Sequence, residues 1–174
     1  MRARQNRLGF PVSLCVAIII VLIQGCIFRK PTDAQRYALW ERKHAADITE
    51  YQAFLDHNEV GDIIPLSQLL KSARDWKKCK AEPFTMPPKE LWPNIVPTLQ
   101  IVKKFKSEGV LINPVAASVY RDPVLNACAG GSPKSKHMQL NAIDFDIDAT
   151  PESLETLCHA WKTLGPELKL GLGF

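Results

Sequence analysis

The apolar positions fall into one unbroken run followed by several periodic ones. Residues 8–23 are almost uncharged and apolar on every side, without the polar face of a buried core helix. Beyond a Lys30-Pro31-Thr32 spacer, Asp33 is placed to cap a helix whose stripe is Tyr37, Trp40, Ile48, Tyr51 and Leu55. His44 falls on that face, where a lone histidine reads as a packed residue, and Gly61 ends the element. Residues 65–78 predict a second helix with Leu66, Leu69, Leu70, Ala73 and Trp76 inward, after which Pro83, Pro87 and Pro88 break the regularity. A third helix, beginning near Pro93 or Pro97, carries Leu99, Ile101, Val102 and Phe105 inward and Lys103, Lys104 and Lys106 on a solvated face, and closes at Gly109. Residues 110–112 and 115–120 read as strand material interrupted by Pro114. Residues 142–147 alternate in the strand manner, and residues 151–164 are helical with Leu154, Leu157, Cys158 and Trp161 on one side. Helices and short strands without a β-α-β rhythm predict an α+β fold.

The apolar run changes the reading of compartment. Arg2, Arg4 and Arg7 precede it and Ile23-Gln24-Gly25-Cys26 follows, the order of an export signal. The ending resembles a bacterial lipobox, in which the signal is removed before Cys26 and that cysteine carries a lipid. An uncleaved membrane anchor is the alternative, the run being slightly short of the ~20 residues a spanning helix needs. Either reading places the rest of the chain outside the cytoplasm, and the lipobox makes it a membrane-anchored periplasmic lipoprotein. Setting the segment aside removes three arginines and no acid, so the net charge of +4 falls to +1, with 19 basic and 18 acidic residues. That balance argues against a nucleic-acid partner. Cys15 lies inside the signal and Cys26 at its end, leaving Cys79, Cys128 and Cys158. In an oxidising compartment two of these are expected to pair; the alternative is three small buried apolar residues.

Candidate chemistry lies between Ser118 and Asp148, centred on Ser135, His137 and Asp144. A neutral imidazole and a carboxylate are both zinc donors, but their spacing alone does not separate them from an incidental pair. Asp144, Asp146 and Asp148 share one face of the expected strand, where three carboxylates in line repel unless a cation or water relieves them.

The motifs carry more. Ser135-x-His137-x-x-x-x-Ala142-x-Asp144 resembles the Ser-x-His-x-x-Gly-x-Ala-x-Asp signature of the zinc D-Ala-D-Ala carboxypeptidases, metallopeptidase family fifteen, subfamily A, which also includes phage endolysin peptidases. Upstream, Ser118-Val119-Tyr120-Arg121 is similar to the family's Ser-Gly-Tyr-Arg, followed by Asn126 and the Gly130-Gly131 loop. The resemblance runs from about Pro87 to the C-terminus. It implies a hedgehog/DD-peptidase-like fold, a helical part packed on a small, mostly antiparallel sheet, and zinc as cofactor. It implies His137 and Asp144 as metal ligands, Arg121 as the catalytic, substrate-holding residue, and Ser135 as a substrate contact or support for the ligand histidine. The implied substrate and partner is a peptidoglycan stem peptide. The Cys-Ala-Gly-Gly loop of exported relatives further implies a Cys79–Cys128 disulfide, leaving Cys158 unmatched. The organisation expected is a signal or anchor over 1–25, a tether over 26–33, a helical region over 34–86 and a peptidase-like domain over 87–174.

Two departures and one gap qualify the resemblance. Leu140 stands where the signature has glycine, which suggests a different backbone turn between the ligands. Val119 replaces the glycine before Tyr120, which fits a strand better than a turn. The family's third ligand comes from a later His-x-Asp or His-x-His segment; the one later histidine, His159, is followed by Ala160 and Trp161 and does not resemble it. Because Gly171-Leu172-Gly173-Phe174 resembles the lead-in to that segment, the chain is expected to stop one strand early. Two ligands hold zinc more weakly than the usual three, and no general base is in view. A non-catalytic cell-wall-associated lipoprotein that keeps the fold is therefore the alternative reading, with a phage-derived lysis accessory protein as a further one.

Overall fold

The helical stripe that begins at Asp33 breaks at His44. There the backbone leaves helical geometry (φ −119°, ψ 18°), giving α1 (Asp33–Lys43) and α2 (Ala45–His57) in place of one continuous helix. Aromatic packing accounts for this: the His44 ring stacks on Trp40 with centroids 4.3 Å apart, while Tyr37 meets Phe84 edge-on at 5.2 Å. α2 buries Ile48, Tyr51 and Leu55, with Tyr51 against Trp92 at 4.9 Å.

The helix expected over residues 65–78 shrinks to one turn, α3 (Leu66–Leu69). Lys71 instead forms an antiparallel bridge with Phe84, with Ser72 N donating to Pro83 O at 3.0 Å and Thr85 N to Leu70 O at 2.9 Å. These long-range partners take the backbone groups a longer helix would have used. Of the five residues expected inward, Leu69, Leu70 and Ala73 are buried and Leu66 and Trp76 half-buried, so the apolar positions largely hold while the helical period does not. A 3₁₀ turn (Lys89–Asn94) leads into α4 (Ile95–Ser107), which buries Ile95, Leu99, Val102 and Phe105 at helical spacing.

Of the expected strand material only β1 (Val115–Ser118) and β2 (Asp144–Asp146) form, pairing antiparallel as Val115 with Asp146, Ala116 with Phe145 and Ser118 with Asp144. An irregularity between Ala116 and Ser118 brings Ser118 opposite Asp144. Residues 110–112 are not strand, and Ile112 is exposed. α5 (Pro123–Cys128) follows β1, and α6 (Pro151–Leu168) follows β2, burying Leu157 and Ala160 while Trp161 stays 40% exposed rather than turned inward. The result is α+β: helices around one hydrophobic core, with a two-stranded sheet at the site.

This computed structural model describes residues 30–168 together with Gly171 and Gly173. The chain divides into Met1–Thr32 and Asp33–Phe174. The export segment, Cys15 and Cys26 lie outside the described residues. Among the described residues no helix is long and apolar enough to cross a membrane.

A disulfide joins Cys79 to Cys128, with Cα atoms 5.8 Å apart, and Cys158 is free and half-buried. The bridge fixes the turn after Trp76 to the end of α5, next to the Gly130-Gly131 loop. Closing a loop over 49 residues removes about 4 kcal/mol of chain entropy from the unfolded state. Replacing both cysteines by serine is therefore expected to cost about 2–4 kcal/mol in urea unfolding. The reduced wild type should match the double variant, and an unchanged midpoint would show that the fold does not rely on the bridge.

Candidate metal and substrate site

Asp122 sets the site's first side chain. Its carboxylate accepts from Val124 N at 2.9 Å and Leu125 N at 3.0 Å, capping α5 at an Asp-Pro step. The preceding residue, Arg121, is thereby held where the chain leaves β1, and its backbone N–H donates to His137 O at 3.3 Å. The Arg121 side chain spans the sheet end: Nε donates to Ser118 Oγ at 2.9 Å and an Nη to Asp144 Oδ2 at 2.6 Å. Ser118 is buried and donates in turn to Ser72 O at 2.7 Å, so the segment after α3 anchors the guanidinium.

His137 sits in a 3₁₀ turn (Lys136–Gln139) and is buried. Its Nδ1 lies 2.7 Å from Val119 O, and a carbonyl can only accept, so Nδ1 carries a proton and donates. In the neutral ring this leaves Nε2 with a lone pair, 3.2 Å from Asp144 Oδ1. Two lone pairs then face each other, a contact that only a proton on Nε2 or a bound cation makes favourable. A tetrahedral zinc with bonds of about 2.0–2.1 Å holds two donors roughly 3.3 Å apart, so these two atoms fit one ion. Among the described residues no group of three or more His, Cys, Asp or Glu is placed to hold a metal.

Leu140 closes the turn after His137 in left-handed backbone (φ 56°, ψ 32°) and is fully buried. The turn is thus one that glycine adopts freely; leucine takes it at a cost of about 1–2 kcal/mol and fills the core in return. Val119, just beyond β1, is buried, donates to Lys71 O at 3.0 Å and offers its carbonyl to His137. Asn126 is buried and donates to Ser132 O at 2.9 Å. A Cβ on Gly131 would lie 2.1 Å from Asn126 Oδ1, which explains a glycine there.

The expected aspartate row is short. Asp144 and Asp146 lie in β2, while Asp148 is beyond it. The cations that relieve the two strand carboxylates are arginines: Arg121 on Asp144, and Arg74 on Asp146 at 2.7 Å. Burial, the largest single influence, pushes the Asp144 carboxyl up, but the His137 hydrogen bond with the charges of His137, Arg121 and Arg74 outweighs it and the pKa is lowered. Ser135 heads the turn, its N–H donating to Ser132 O at 2.9 Å; its hydroxyl makes no hydrogen bond among the described residues. His159 is exposed on α6 and completes no group of three metal-ligating side chains among the described residues. A cleft of about 1050 Å³ opens at the site, lined by Arg121, Lys136, Asp144 and Phe145 and walled by apolar residues of α4 and α6.

Two supporting residues, Asp122 and Ser72, stand outside the residues that the sequence brings forward. Asp122-Pro123 was a readable cap signal. Ser72 had none, since its part depends on a pairing across 46 residues.

A family model described as Peptidase M15 matches residues 65–170, more than half of the chain and starting ahead of Pro87. No curated protein and no solved structure matches significantly.

Leu140→Gly is expected to lose about 1–3 kcal/mol in urea unfolding, since a lost buried leucine outweighs the relief of strain. Leu140→Ala should be less stable than Leu140→Gly, reversing the usual order, because alanine keeps the strain. Equal or opposite ranking would show the turn is not left-handed in solution. For Asp144 the folded pKa lies below the unfolded one, so the metal-free protein gains stability above the ordinary aspartate range and loses it as pH falls through the lowered pKa. Asp144→Asn should flatten that acid limb of the stability curve, and an unchanged limb would contradict the assignment.

Proposed function

Because the chain belongs to the Peptidase M15 family, a metallopeptidase family, we propose that it hydrolyses peptidoglycan stem peptides in the manner of a zinc D-Ala-D-Ala carboxypeptidase. The observation that carries this reading is the 3.2 Å approach of His137 Nε2 to Asp144 Oδ1, with the opposite ring nitrogen tied to a backbone carbonyl. A ligand histidine with its other N–H fixed and a carboxylate at the right span form two corners of a zinc site. His137 and Asp144 would hold the zinc, which would supply Lewis acidity toward a peptide carbonyl.

The chain's own residues do the rest. Val119 O fixes the His137 tautomer that leaves Nε2 as the donor. Arg121 balances the charge of Asp144 and uses two of its five N–H groups on Asp144 and Ser118, so the guanidinium is held rigid at the cleft with N–H groups to spare for a substrate carbonyl or carboxylate. Ser135, at the head of the turn with its hydroxyl uncommitted among the described residues, is a second substrate contact. The lipobox-like Cys26 and the disulfide fit an exported, lipid-anchored protein of the periplasm, where peptidoglycan is the partner.

One observation favours a second reading. With only two donors in place among the described residues, the same fold serves a non-catalytic cell-wall-associated lipoprotein.

Metal analysis after dialysis against zinc-free buffer decides between them. About one zinc per chain is expected in the wild type, and His137→Ala and Asp144→Ala should each lose it. Hydrolysis of an acyl-D-Ala-D-Ala peptide should fall at least roughly tenfold in Arg121→Lys, because lysine cannot reproduce the planar fork. A folded wild type that holds no zinc and cleaves no peptide would establish the non-catalytic reading.

A further inference from the structure

The charges lining the cleft are unevenly committed. Arg121 is balanced by Asp144 and Arg74 by Asp146. Two charged residues remain, Lys136 and Asp75, and neither forms an ion pair among the described residues. Asp75 repels an anion. Lys136 is therefore the cleft's uncommitted cation.

Its backbone is fixed even though its side chain is exposed. Lys136 opens the 3₁₀ turn that presents His137, and its carbonyl accepts from Asn141 N at 2.9 Å, closing the segment between the two candidate metal donors. Lys136 is next to His137 in the chain and lines the same cleft as Arg121 and Asp144.

Building on the peptidase reading above, we propose that Lys136 is a specificity-determining residue that pairs with a free carboxylate of the substrate close to the scissile bond. Arg121 is less suited to discriminate by charge, because its own charge is met by Asp144. Lys136 thus separates peptides that end at the cleft from those that continue through it.

The test uses the zinc-supplemented full chain and two probes, acetyl-D-Ala-D-Ala with a free C-terminal carboxylate and the same peptide as its C-terminal amide. Binding is measured by calorimetry and hydrolysis in parallel. The wild type should bind the acid roughly fivefold more tightly than the amide, the scale of a solvent-screened ion pair. Lys136→Gln should erase that preference by weakening the acid alone, Lys136→Arg should keep it, and Lys136→Glu should reverse it. Because Lys136 is exposed, all three variants should keep the wild-type unfolding midpoint. An acid-to-amide ratio unchanged in Lys136→Gln, or a wild type that does not distinguish or does not bind the two probes, overturns the assignment. Discrimination without hydrolysis would sink the peptidase reading and leave Lys136 standing; hydrolysis without discrimination would sink Lys136 alone.

Discussion

The carboxylate of Asp144 is shared: one oxygen bonds to Arg121 and the other faces His137. A half-buried carboxylate needs both contacts, because desolvation alone would favour its neutral form. Much of the surrounding structure serves to deliver those two partners. The irregularity in β1 sets Ser118 opposite Asp144, Ser118 holds Arg121, and the segment at Ser72 holds Ser118. On the other side the Val119 carbonyl fixes the imidazole. Three stretches far apart in sequence, around residues 72, 119 and 144, meet in one hydrogen-bonded chain.

That arrangement explains which features were legible in the sequence. Local periodicity found α1, α2, α4 and α6 and most of their buried faces, because an amphipathic helix records its environment every three or four residues. It failed over residues 65–78, where Leu66, Leu69 and Ala73 fit a helix equally well but the backbone of Leu70 and Ser72 bonds to residues 83–85. It failed also for the break at His44, which depends on a ring stack, and for Trp161, which the stripe placed inward. At the site, the motif comparison brought out His137, Asp144 and Arg121, which the structure places together. The Ser72 and Val119 carbonyls, by contrast, act through backbone oxygens, which leave no trace in residue identity.

The two-donor set and the committed arginines bear jointly on what the site can do. A metal at His137 and Asp144 would meet a carboxylate already engaged by Arg121, so ion and guanidinium share one anion. Sharing weakens each partner's hold on Asp144 but keeps the guanidinium beside the metal position. The cleft sets these few charged groups in a largely apolar wall.

Leu140 ties this chemistry to the core in a way glycine would not. A glycine in the left-handed turn could make the same bend and leave the interior indifferent to it. With a leucine inserted there, fully buried, the bend between His137 and Asp144 is registered against the packing of the hydrophobic interior. Close-packed interiors transmit displacement rather than absorb it. The stretch from His137 to Asp144 is in this way pinned to the stiffness of the domain that carries it.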